Sequence, residues 1–124
     1  MSIILVVEDE PATQLMLELM LQRSNHEVVS VVSGEDAIAF LANKPADLMI
    51  ADVWMPGMGG LALLQQLRSN ERYHNLPIIM FTASGDDRVR TEAKRIGASG
   101  FLTKPASSIE VTDIVSKHLG NHSI

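Results

Sequence analysis

The sequence predicts a doubly wound α/β domain, and three observations carry that prediction. Five short aliphatic segments recur along the 124 residues, at 3–7, 27–32, 47–51, 77–82 and 100–103. The first is apolar throughout and the third and fourth nearly so, which suits strands covered on both faces, as in a parallel sheet. Stretches of helical length separate them, and such strand–helix alternation is the pattern of an open parallel sheet with helices on both faces.

Each helical stretch has its own punctuation. Residues 11–24 open with Pro11, which suits a helix N-terminus, and close near Asn25, which tolerates a left-handed cap. Residues 34–43 carry Ala37, Ile38, Leu41 and Ala42 on roughly one face, and residues 60–70 carry Leu61, Leu64 and Leu67. Residues 86–96 lie between Gly85 and Gly97, and residues 107–118 between Pro105 and Gly120. In the first helix Leu15, Met16, Leu17, Leu19, Met20 and Leu21 point around most of the circumference, so core packing is expected for some and exposure for others. The stretch "GMGGLA" at 57–62 formally fits a nucleotide fingerprint, but it follows the third strand and reads as a turn and helix start. No repeat, low-complexity tract or linker interrupts the chain, so residues 1–124 are expected to form one domain.

Composition narrows the function classes. Hydrophobic residues make up 46% and charged residues 20%, which excludes a disordered chain. A net charge of −5 with no basic stripe argues against direct nucleic-acid binding. There is no cysteine, hence no disulfide, thiolate catalysis or cysteine metal site, which fits a cytoplasmic location. The opening "MSIILVVEDE" turns acidic too soon for a signal peptide or a membrane span.

In a doubly wound sheet, ligands bind at the carboxyl ends of the strands. Glu8, Asp9 and Glu10 follow the first strand and Asp52 the third; the fourth ends at Thr82, and the fifth leads into Lys104. A charge ending a buried strand is costly unless paired, hydrogen-bonded or metal-bound. Glu8, Asp9 and Asp52 bring three negative charges against one from Lys104, and like charges in one cleft need compensation. Oxygen ligands without His or Cys point to Mg²⁺, or Mn²⁺ in its place. Such a site with a Lys and a Thr beside it suits a phosphoryl group, and Asp52 is the carboxylate placed to accept one covalently.

These residues carry a family resemblance. From "ILVVEDE" through "LMIADVWMPGMGG" and "PIIMFTAS" to "GASGFLTKP", the chain resembles a receiver domain of two-component response regulators. The resemblance implies a flavodoxin-like sheet of order 2-1-3-4-5. It implies Asp52 as phosphoacceptor, Asp9 as a direct Mg²⁺ ligand, Glu8 as a helper through water, and the Trp54 backbone carbonyl as a further ligand. Thr82 would hydrogen-bond the phosphoryl group, Lys104 would pair with it, and Phe101 stands at the aromatic switch position. The implied partner is a histidine kinase or a histidine phosphotransfer protein, and the implied activity is limited to self-phosphorylation and slow self-dephosphorylation. Gly59 stands where an acidic or Ser helix start is common, Ala106 where Phe is usual, and Phe101 lacks the hydroxyl of the Tyr often found there.

Other readings fit less well. A flavin-binding carrier would need a Ser/Thr/Gly phosphate cradle after the first strand, where "EDEPAT" stands. An aspartate-nucleophile phosphatase would carry an acid/base two residues after the nucleophile, where Trp54 cannot transfer protons. A non-phosphorylated interaction module would lack an acid, the Thr or the Lys. His26, His74, His118 and His122 are scattered without ligand spacing. Arg88, Arg90, Lys94 and Arg95 read as a solvated face. A cis Lys104–Pro105 peptide is expected, to turn the amine back over the strand ends. Gly85 is expected to let the loop after Thr82 yield.

Overall fold

The computed structural model describes residues 2–83 and 87–119. Strands β1 (Ile3–Val7), β2 (Glu27–Val31), β3 (Leu48–Asp52), β4 (Ile78–Thr82) and β5 (Gly100–Thr103) form one sheet in the order β2-β1-β3-β4-β5. Every pairing is parallel. Helices α1 (Pro11–Gln22), α2 (Gly34–Asn43), α3 (Gly60–Arg68), α4 (Asp87–Ile96) and α5 (Ser108–His118) connect them. The expected fold class and strand order both hold.

Alternation along the strands sorts the core into two layers. Leu5, Val7, Met49, Ala51, Ile78 and Met80 face a layer with Ala37 and Leu41 of α2, Leu63, Leu64 and Leu67 of α3, and Ala93 of α4. Ile4, Val6, Leu48, Ile50, Ile79 and Phe81 face Leu17 and Leu21 of α1 and Val111 and Val115 of α5. β3 and β4 are buried along their whole length, which explains why their sequences are apolar up to the last residue of each, Asp52 and Thr82. Full burial of each such side chain is worth about 1.5–3 kcal/mol.

The boundaries differ slightly from the sequence expectation. α1 stops at Gln22 and α3 at Arg68, two residues earlier in each case than expected. Asn25 takes φ 69°, the left-handed conformation its side chain tolerates. Asp52 is the last residue of β3, paired in register with Phe81, rather than the first residue beyond the strand. A 3-10 turn at Glu71–Tyr73, capped by Asn70, has no expectation behind it. α3 starts from Gly59 with no side-chain cap, whereas α5 starts from a full capping box between Ser107 and Glu110. α1 buries Leu17 and Leu21 and exposes Leu15 and Leu19. The expectations for Gly85, Gly120 and His122 lie outside the described residues.

Candidate functional site at the carboxyl edge of the sheet

Sheet hydrogen bonding runs one residue past three strand ends and fixes the backbone of the site. Glu8 N donates to Val31 O, Val53 N to Phe81 O and Lys104 N to Thr82 O, at 3.0, 3.2 and 2.8 Å. Because β1 is flanked by β2 and β3, the crevice opens where the chain's winding reverses, above β1 and β3. Glu8, Asp52, Thr82 and Lys104 are thereby carried to one edge, as the sequence predicted.

Glu8, Asp9 and Asp52 each present a carboxylate oxygen within 4.8 Å of the others. Glu8 and Asp52 are buried, at 1% and 7% exposure, while Asp9 faces solvent. Burying two carboxylates requires counter-charge, and Lys104 supplies it: its Nζ lies 2.9 Å from Glu8 Oε1 and 3.0 Å from Asp52 Oδ2. The other oxygens are also engaged. Glu8 Oε2 accepts from Glu10 N at 3.1 Å, and Asp52 Oδ1 accepts from Trp54 N at 3.1 Å. Burial still dominates at Glu8 and pushes its pKa up, against the opposing pull of Lys104 and the Glu10 N–H. At Lys104 burial alone would lower the pKa; its bonds to Glu8 and Asp52 outweigh that and raise it. The ammonium therefore stays charged throughout the neutral range.

Thr82 closes β4 beside this cluster and is buried. Trp54 directs its backbone N–H at Asp52, and the residue itself is largely exposed. Phe101 is half-buried in β5, with the Arg90 guanidinium 5.2 Å from its ring centre. The Lys104–Pro105 peptide is cis, as expected. Glu10 does not join the acids: its carboxylate accepts a hydrogen bond from the Thr13 hydroxyl.

Three supporting residues went unnoticed in the sequence. Gln14 donates its side-chain amide to Glu8 O at 2.6 Å, fixing the end of β1 from the first turn of α1. The Phe81 ring lies 5.2 Å from Lys104 Nζ and lines the amine's path with an aromatic face. Gly60 presses so closely on β3 that a Cβ there would stand 2.2 Å from Asp52 O. Only the glycine carried a sequence signal, and it was absorbed into the turn reading of residues 57–62.

Three clustered carboxylates with no nitrogen or sulfur ligand suit a hard divalent cation. A parallel sheet of this order with an acidic crevice and a lysine across its floor defines a receiver of two-component signalling. The chain belongs to the response regulator receiver domain family, whose pattern matches residues 4–116. Over 115 residues it is 40% identical to the response regulator protein FleR of Pseudomonas aeruginosa, a match covering 93% of this chain and 24% of FleR. It spans no more than half the length of the next curated relatives. The signal receiver domain of a signal transduction histidine kinase from Syntrophus aciditrophicus is 31% identical, with a TM-score of 0.91, over 99% of this chain and 93% of that one. The receiver domain of sensor histidine kinase PA1611 from Pseudomonas aeruginosa is 28% identical, with a TM-score of 0.88, over 96% of this chain and 98% of that one. That structure holds a magnesium ion coordinated in its active-site cleft. Among the described residues of the present chain, no helix is long and apolar enough to cross a membrane.

Proposed function

We propose that residues 1–124 act as one phosphorelay domain of the cytoplasm, in which Asp52 accepts a phosphoryl group from a phosphohistidine. The donor is a histidine kinase or a histidine phosphotransfer protein. The observation that carries this reading is the bridge from Lys104 Nζ to both Glu8 and Asp52, which sets a positive charge against two buried carboxylates and holds the amine beside the point where phosphoryl oxygens would arrive.

An Asp52 oxygen attacks phosphorus, an O–P bond forms, the N–P bond to imidazole breaks, and the released imidazole takes up a proton. Lys104 moves from balancing carboxylate charge to pairing with a phosphoryl oxygen, and the Thr82 hydroxyl donates to another. Glu8, Asp9, Asp52 and the Trp54 carbonyl would hold Mg²⁺, or Mn²⁺ in its place. When bound, that ion supplies positive charge against the phosphoryl oxygens. Trp54 places no acid or base two residues beyond Asp52, so the acyl phosphate persists long enough to serve as a signal.

The phosphoryl group brings a charge of about −1.5 to −2 and three strong acceptor oxygens. Thr82 turning toward it opens space that Phe101 fills from β5, which biases the surface formed by α4, β5 and α5 toward a second arrangement. The test is incubation with a small acyl-phosphate donor, with and without Mg²⁺. A phosphoryl adduct that forms with Mg²⁺ and is stable in acid but labile in alkali supports the reading. An adduct with the reverse stability, or none, overturns it.

A further inference from the structure

The end of the sheet farthest from Asp52 holds a cation the site does not use. Arg68, the last residue of α3, is half-buried, and among the described residues no carboxylate lies within 4.0 Å of its guanidinium. Its donors go to neutral acceptors on other elements. Nε donates to Gly97 O at 2.8 Å, Nη1 to Tyr73 O at 3.0 Å, and Nη2 to the Ser99 hydroxyl at 3.3 Å. That hydroxyl also accepts from Ile78 N at 3.0 Å, where β4 begins.

Gly97 is the residue directly after α4, at φ +124°, and a Cβ on it would stand 3.1 Å from Arg68 Nε. Arg68 thus serves as a C-terminal cap for α4, supplied by α3, at the end where helix carbonyls lack partners and the macrodipole favours a cation. The body of α4 is held far more loosely. Of its residues only Ala93 is buried, with Val89 and Ile96 packed part-buried on the core. A helix with so few apolar contacts opens at low cost except where it is tied.

We propose that Arg68 is the fixed pivot of α4, so that a change arriving from Thr82 swings the helix about Gly97 instead of shifting it bodily. The proposal rests on the phosphoacceptor reading for its trigger, but the tether itself can be tested without one. Arg68 is here a positioning residue, far from the reacting atoms.

The experiment is residue-resolved amide exchange and chemical shift on the whole chain, comparing wild type with Arg68→Lys and Arg68→Gln. Neither replacement reproduces a planar fork reaching three acceptors. In unmodified wild type the Gly97 and Ala98 amides, which donate to Ala93 O at 3.0 and 2.9 Å, should be well protected. Both variants should lose at least about tenfold of that protection, the scale expected for a lost charged hydrogen bond. Adding beryllofluoride with Mg²⁺ as phosphoryl analogue should move wild-type Val89 strongly and Gly97–Ser99 little, while in the variants both ends respond. Extent of labelling at Asp52, read by intact mass, should be unchanged. Unaltered exchange at Gly97 and Ala98 in both variants overturns the tether. An equal response at both ends of wild-type α4 overturns the pivot. If wild type takes no phosphoryl group, the phosphoacceptor reading fails, and the exchange comparison still decides the tether. A variant that unfolds is recognised by lost protection in β3, and the other then carries the comparison.

Discussion

Lys104 Nζ lies 3.0 Å from Asp52 Oδ2, a contact between side chains 52 positions apart in the sequence. The same amine reaches Glu8. One ammonium therefore holds two buried carboxylates, and removing it should shift the site's charge balance sharply. In Lys104→Met, Mg²⁺ should bind more tightly than in wild type, because a positive charge has left the crevice. Isothermal titration checks this; weaker binding would mean that Lys104 helps shape the cation site.

Trp54 is the sole tryptophan, is 63% exposed, and is tied to Asp52 through its backbone N–H. If its carbonyl also takes part in holding a cation, indole fluorescence should respond saturably to Mg²⁺. The response should weaken in Asp9→Ala. A signal indifferent to Mg²⁺ in wild type counts against that carbonyl as a ligand.

Gly60 tests how tightly α3 sets the end of β3. In Gly60→Ala the new methyl would meet Asp52 O and, at 2.9 Å, the Met80 methyl, so backbone must shift. A loss of about 1–3 kcal/mol is expected, the range for overpacking. Urea unfolding measures it, with Gly59→Ala, whose Cβ contact of 3.3 Å is milder, losing less.

His26 predicts a pH dependence. Its Nδ1 is buried with no hydrogen-bond partner among the described residues, and burial lowers its pKa below 6.5. The unfolded chain then binds a proton more readily than the folded one. His26 contributes stability that is present above pH 6.5 and lost as pH falls through its folded pKa. Between pH 7.5 and about pH 5, wild type should lose more stability than His26→Gln. Parallel losses in denaturant titrations of the two proteins would assign the pH dependence to other groups.

Much of the fold was legible because its signals are local. β1, β3 and β4 are short apolar runs bounded by charge or proline, and Pro11, Asn25 and Gly97 stand where helices start or stop. The site was legible for a related reason: Glu8, Asp52, Thr82 and Lys104 each lie at or just past a strand end, and a parallel sheet gathers those ends. What escaped depends on contacts distant in sequence. Nothing near Arg68 announces that its guanidinium reaches Gly97 and Ser99, and Gln14 reads as one more polar helical residue. The Glu71–Tyr73 turn is too short to show a period. Glu10 was noted only as following the first strand, and nothing local showed that its carboxylate accepts from Thr13 as the chain turns into α1.

The most direct measurement of the central claim is the intact mass of wild type and Asp52→Asn after treatment with a small phosphodonor and Mg²⁺. Asparagine keeps the shape of the side chain and removes the nucleophilic carboxylate. One phosphoryl group on wild type and none on the variant is the predicted result; equal labelling of both proteins would place the acceptor elsewhere and contradict the account.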